Sequence, residues 1–159
     1  MRDFGSTMSA QGAFLLNLGL ETLPLRMERH CQNARKVAEY LSTQSKVESV
    51  NYPSLKNDKY HDLAQKYLPK GASGVVALTM KGGKEAAVRF MDSLKLASLV
   101  VHVADIRTCA LHPASATHRQ LTDEQLVAAG INPGLIRLSV GCENIDDILE
   151  DIESALAQV

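Results

Sequence analysis

The stretch Ser98–Leu121, SLVVHVADIRTCALHPASATHRQL, decides how this chain is read. It opens on an apolar, β-branched run and passes into a polar loop holding His112, His118 and three hydroxyl side chains, Thr108, Ser115 and Thr117. The loop from Ile106 to Leu121 is long for a small domain, and long polar loops on compact domains often carry function. A second segment, Leu135–Glu143 (LIRLSVGCE), alternates as a strand does and is the natural partner of the first. Its period of two sends Ile136, Leu138 and Val140 toward a helical layer and leaves Arg137 and Ser139 on the uncovered face. A guanidinium fixed on a strand is a natural bidentate receptor for a carboxylate. An arginine on an open face is more commonly only solvated, so spacing alone supports no more than an anion site near Arg137.

Working outward, Ser9 is a plausible N-cap for a helix through Leu18, and Gly19 fits a stop or kink. Ala13, Phe14, Leu15, Leu16 and Leu18 give that helix a broad apolar surface, of the kind that packs on a partner or a neighbouring domain. Residues 1–8 have no pattern and read as an arm of something longer. A second helix spans about Pro24–Thr43, with Met27, Cys31, Ala34, Val37, Ala38 and Leu41 at helical spacing. Val47–Tyr52 reads as a strand, possibly at an edge, ended by Pro53. Asp58–Leu68 leans helical, with Tyr60, Leu63, Ala64 and Tyr67 inward.

Ser73–Met80 is apolar on both alternating sets, as a central strand is. Lys81-Gly82-Gly83-Lys84 turns the chain; the phosphate-binding glycine patterns are absent from it. Lys84–Leu94 is an amphipathic helix, Leu96–Val103 the next strand, and Thr108–Leu111 a short extended piece. Thr122 and Gln125 form a capping box for a helix that Gly130 stops. Leu135–Val140 is the last strand, and Asn144 caps a final helix, Ile145–Leu156. The expected fold is a two-layer α+β domain: a mostly antiparallel sheet of about four strands with helices on one face.

Composition narrows the function classes. The chain has 159 residues, 45% hydrophobic and 22% charged, with a formal net charge of −1, so neither nucleic acid nor an anionic membrane is an expected partner. No apolar run is long enough to span a bilayer, and the N-terminus has no secretory pattern, which makes a cytoplasmic protein the expectation. Cys31, Cys109 and Cys142 are widely spaced and odd in number, so they read as free thiols. His102, His112 and His118 match no metal-ligand spacing, and Ser115 with His118 lacks the elbow and the acidic partner of a nucleophilic site.

Four segments carry a resemblance: GLETLPLRMERHCQNARKVAEYL (Gly19–Leu41), VNYPSL (Val50–Leu55), HPASATHRQLTDEQ (His112–Gln125) and IRLSVGCENIDDILEDIESAL (Ile136–Leu156). Together they resemble the C-terminal part of the pyridoxal-phosphate (PLP) enzymes of cysteine and methionine metabolism. Within that family the chain is most similar to O-acetylhomoserine sulfhydrylases, with methionine γ-lyases and cystathionine γ-synthases as near relatives.

The resemblance implies the small C-terminal domain of a fold-type I enzyme, residues 45–159, preceded by a helical segment, residues 1–44, leading from a large PLP domain. It implies that Arg137 holds the α-carboxylate of an amino-acid substrate such as O-acetylhomoserine. His102 takes the place of a serine or asparagine that relatives put beside that carboxylate, and Ala104 replaces a glycine. Ser115, Thr117 and His118 belong to the family's signature loop, where they shape a pocket wall. The Schiff-base lysine of an S-x-T-K segment, the aspartate for the pyridinium nitrogen, the stacking tyrosine and the phosphate ligands would all lie in the N-terminal domain. None of Lys36, Lys46, Lys81, Lys84 or Lys95 matches that lysine.

The expectation is therefore a part of a larger homo-oligomeric enzyme that neither binds PLP nor turns over substrate alone. A stand-alone α+β module that binds a carboxylate ligand or a protein partner is the alternative.

Overall fold

A computed structural model of the chain describes Gly5 and residues 7–159. Residues 1–4 and 6 of the expected N-terminal arm lie outside the described residues.

Two helices lead. α1 (Ala10–Glu21) starts where Ser9 accepts the Gly12 N–H, as a capping serine should. Gly19 does not stop it: the helix runs on to Glu21, and the Gly19 carbonyl accepts from Arg26 Nη2 at 2.6 Å. No residue of α1 is buried, and Phe14, Leu15, Leu16, Leu18 and Leu20 are each at least half exposed. α2 (Leu23–Ser42) is amphipathic, and its second half buries Ala34, Val37, Ala38 and Leu41 completely. The alternating elements follow: β1 (Val47–Asn51), α3 (His61–Tyr67), β2 (Val75–Met80), α4 (Gly83–Ser93), β3 (Ser98–Leu99), β4 (Cys109–Leu111), α5 (Asp123–Ala128), β5 (Leu135–Ser139) and α6 (Ile145–Ala157).

The strands form one mixed five-stranded sheet in the order β1-β2-β5-β4-β3. Three pairings are antiparallel, and β3 joins β4 in parallel. The expectation of about four strands is thus corrected to five, and the mostly antiparallel sheet takes in one parallel pairing. The fifth strand is the piece around Thr108–Leu111, which becomes the internal strand β4. The run Leu96–Val103, read as a full strand, keeps only Ser98 and Leu99 in the sheet. Beyond Leu99 the backbone carbonyls of Val101 and His102 are taken by the Arg137 side chain, and the chain turns at Ala104. Apolar, β-branched residues make Val100–Val103 look strand-like; a side-chain donor, Arg137, overrides that propensity.

α2, α4 and α6 cover one face of the sheet, where Val76, Leu78, Ile136, Leu138 and Ala110 meet Phe90, Ala87, Leu41, Ile148 and Ile152. Burying each large side chain stabilises by about 1.5–3 kcal/mol. α3 differs from its expected inner side, because only Ala64 is buried while Tyr60, Leu63 and Tyr67 remain exposed. The capping box at Thr122 and Gln125 forms, and Gly130 follows α5 at φ +76°. Gly82 (φ +91°) and Gly83 (φ +63°) make the turn into α4. No helix among the described residues is long and apolar enough to cross a membrane.

Past the end of β5 the chain is tied to both layers. His30 Nδ1–H donates to the Val140 carbonyl at 2.6 Å, and Asn33 Nδ2 donates to the carbonyls of Gly141 and Glu143, each at 3.0 Å. The Glu143 carboxylate accepts from Thr108 N (2.6 Å) and Thr108 Oγ1 (2.9 Å), and Thr108 Oγ1 accepts from Gly141 N (2.9 Å). A Cβ on Gly141 would stand 2.5 Å from the Ile106 carbonyl oxygen and 2.5 Å from the Arg107 carbonyl carbon, which are backbone atoms. Gly141→Ala should therefore lower the unfolding free energy by about 2–3 kcal/mol in urea titration, since the backbone must shift. A loss below half a kcal/mol would refute this account of the junction.

Candidate functional site

The site grows from the face of the sheet opposite the helices. Arg137 and Ser139 share it with their register partners: Ala77 and Leu111 lie opposite Arg137, and Val75 and Cys109 opposite Ser139. That face is not bare, as the alternation alone had it. Leu111, Cys109 and Ser139 are buried there, beneath the loop 100–107 and the start of the HPAS loop.

Arg137 is held by that loop. Its Nη2 donates to the Val101 carbonyl at 2.8 Å and the His102 carbonyl at 3.2 Å. Its Nε is buried with no hydrogen-bond partner among the described residues. An N–H left unpaired out of water costs about 1–3 kcal/mol, more on a charged group, and such groups recur at binding sites. The guanidinium is thus oriented by two neutral carbonyls and forms no ion pair with a carboxylate among the described residues.

The loop makes a tight turn beside it. Ala104 adopts φ +60°, a left-handed conformation that costs a residue with a Cβ about 1–2 kcal/mol. This is the position where the family resemblance calls for glycine, and the backbone supplies the reason. The Ala104 N–H donates to Ser139 Oγ at 3.1 Å. Arg107 donates through its side chain to both Asp105 oxygens (3.3 and 3.2 Å) and through its backbone N–H to Oδ1 (3.0 Å). Those Arg107 bonds hold the Asp105 carboxyl well below the usual carboxylate range, so it stays ionised. His102 Nδ1 lies 3.5 Å from Asp105 Oδ2, and its ring is more than half exposed. Burial pushes the Cys109 thiol up, which makes it a neutral wall of the site.

The histidines of the long loop separate by role. His112 is 2% exposed; its Nε2–H donates to the Pro133 carbonyl (2.7 Å), and its Nδ1 is hydrogen-bonded to the Ser115 hydroxyl (2.8 Å). It braces the HPAS turn against the segment leading into β5. His118 pairs only with its neighbour Thr117, at 2.9 Å, on the surface. Ser115 and His118, weighed as nucleophile and base, are not brought together by any hydrogen bond. No group of three or more metal-ligating side chains occurs among the described residues, and all three cysteines are free.

Sequence reasoning missed the carbonyls of Val101 and His102, which leave no trace in side-chain identity. It also missed Ser139 as an acceptor, although the alternation had put Ser139 on the same face as Arg137. PLP needs a lysine for its aldehyde and a cradle for its phosphate. Here Lys46 and Lys81 are tied to the carbonyls of Leu156 and Ser45, Lys84 faces Asp123, and Lys59 and Lys66 lie over tyrosine rings. Each of these five side chains is engaged by another group, and the oriented guanidinium of Arg137 is suited to a carboxylate.

The family model for "Cys/Met metabolism PLP-dependent enzyme" matches residues 1–157. The chain is 50% identical over 160 residues to an O-acetyl-L-homoserine sulfhydrylase of Leptospira meyeri, covering 100% of this chain and 36% of that protein. It is 43% identical over 155 residues to an L-methionine gamma-lyase of Fusobacterium nucleatum subsp. polymorphum, covering 98% of this chain and 39% of the relative. A crystal structure described as an O-acetylhomoserine (thiol)-lyase from Campylobacter jejuni superposes with a TM-score of 0.86 at 43% identity, over 98% of this chain and 37% of that one. That structure carries a pyridoxyl-lysine monophosphate. The chain thus spans little more than a third of the length of these relatives. With a family model matched across nearly its whole length, over a sheet that presents an oriented arginine, the chain belongs to the PLP-dependent enzymes of cysteine and methionine metabolism.

Proposed function

We propose that this chain is the substrate-carboxylate-binding part of a PLP-dependent enzyme that converts O-acetylhomoserine and sulfide to homocysteine and acetate. One observation carries the reading: Arg137, oriented by two carbonyls and with its Nε unpaired among the described residues, on a chain 50% identical to an O-acetyl-L-homoserine sulfhydrylase. Arg137 binds the α-carboxylate as a charged fork, which fixes the amino acid against the rest of the site. His102 stands at the rim of that fork, where its imidazole adds a donor beside the carboxylate. Ser115, Thr117 and His118 form a wall of the pocket and carry no proton. The cofactor, when bound in the parent, supplies the electron sink.

Residues 45–159 then serve as the C-terminal domain, and residues 1–44 lead into it from the cofactor-bearing domain. α1 offers its exposed apolar side to that domain or to a second subunit of a homo-oligomer in the cytoplasm. The match to L-methionine gamma-lyases at 43% identity supports a second reading, in which the parent eliminates a γ-thiolate from methionine or a related amino acid. Both readings use the same carboxylate anchor.

Arg137→Ala in the full-length enzyme should raise KM for O-acetylhomoserine by about 10- to 100-fold, the loss expected for a charge-assisted pair, while the cofactor's absorbance is retained. Arg137→Lys, which keeps the charge and loses the fork, should fall between. An unchanged KM in Arg137→Ala would sink the carboxylate role. This chain by itself, mixed with PLP and reduced with borohydride, should take up no stoichiometric label on lysine by mass spectrometry. Stoichiometric labelling of one lysine would show that the chain holds the cofactor after all.

A further inference from the structure

We propose that Ser139 is a positioning residue for the carboxylate anchor, acting on Arg137 through the turn at Ala104. The inference rests on the reading that Arg137 binds the substrate carboxylate.

The segment from Lys95 to Thr108 has little ladder bonding of its own, because β3 holds only two residues. Its backbone N–H groups are instead taken by three side-chain acceptors from the C-terminal part of the chain. Asp151 on α6 accepts Lys95 N (2.7 Å) and Ala97 N (3.0 Å) at the entry. Glu143 accepts Thr108 N (2.6 Å) at the exit. Ser139 accepts Ala104 N (3.1 Å) in the middle. The two carboxylates pin the ends, where a segment must leave one element and enter the next. Ser139 accepts from the part that touches Arg137.

That middle bond sits where it matters. Ala104 is the described residue with a Cβ that has a positive φ, so the turn goes against its own preference. Two and three residues earlier are the carbonyls that orient the guanidinium, and one residue later is Asp105, which faces the His102 ring. Ser139 is 2% exposed, so no water competes strongly for its Oγ, and it lies two residues beyond Arg137 on the same face of β5. One strand therefore carries both the anchor and the peg that holds the loop over it. When the peg is removed, the left-handed turn at Ala104 relaxes, the carbonyls of Val101 and His102 move, and the guanidinium keeps its charge but loses its orientation.

The test uses the full-length enzyme loaded with cofactor and assayed with O-acetyl-L-homoserine and sulfide. Ser139→Ala should raise KM for the amino acid about five- to tenfold, with kcat changed by less than about twofold and the cofactor absorbance unaltered. Ser139→Thr, which keeps an acceptor oxygen, should restore KM to within about twofold of the parent. Adding Ala104→Gly to Ser139→Ala should recover most of the lost affinity, because glycine adopts the turn without being held. A purely structural serine would lower the thermal midpoint and leave KM where it was. Should Ser139→Ala fail to fold, Ser139→Cys, close in shape and a weak acceptor, replaces it in the same comparison. An unchanged KM in that variant, while Arg137→Ala raises KM, overturns the role of Ser139 and leaves the anchor intact. A raised KM that Ala104→Gly does not relieve overturns the route through the turn. An unchanged KM in Arg137→Ala removes the reading on which the inference stands.

Discussion

The junction at Val140–Glu143 is the constraint on which the rest of the structure depends. In four residues β5 ends, meets α2 through His30 and Asn33, grips the start of β4 through Thr108, and turns into α6. The backbone groups there leave the sheet in a buried place, where each must find a partner or cost free energy. Asn33 takes two carbonyls with one amide nitrogen, and Glu143 takes two donors from one residue. Gly141 lets the loop backbone at Ile106–Arg107 approach closer than a Cβ would allow. The packing of α2, the register of β4 and the position of the loop 100–107 all follow from this point.

The loop illustrates how a surface segment becomes part of a site without regular structure. Val101, Val103 and Ile106 stay more than half exposed, so no core burial holds the loop. It is held by side chains that accept from its N–H groups and by Arg137, which donates to its carbonyls. The relation is reciprocal: the arginine stabilises the loop's path and the loop fixes the arginine's plane. Asp105, kept ionised by Arg107, supplies the negative charge nearest His102, at the rim of the turn. Chemistry that depends on a carboxylate being held in one orientation needs this kind of mutual support, because a free guanidinium on a strand would bind anions without aiming them.

Legibility in the sequence tracked how local each signal was. The caps at Ser9, Thr122 and Asn144 lie within three residues of the groups they satisfy, and each formed as read. The central position of β2 and the edge position of β1 followed from their apolar patterns and from Pro53. The helix expected to end at Gly19 ran on, since glycine lowers helix propensity without forbidding the helix. The strand expected over Leu96–Val103 shrank to Ser98–Leu99, since its carbonyls had a better partner 35 residues away in Arg137. The histidines show the same division. His112, which matches no metal-ligand spacing, is a buried strut, a role set by Pro133 and invisible in spacing.

The sequence by itself determined the two-layer α+β class, the helices and their caps, the central strand, the placing of Arg137 away from the core, and the family through its four matching segments. All of these rest on period, capping chemistry or residue identity within a short window. Only the tertiary structure decided the strand order, the parallel pairing of β3 with β4, the covering of the second sheet face, and what orients Arg137. Those depend on backbone groups meeting side chains far along the chain, and a carbonyl carries no residue identity. The physical reason is that buried polar groups must be paired, and the partner is chosen by proximity in space rather than by position in the sequence.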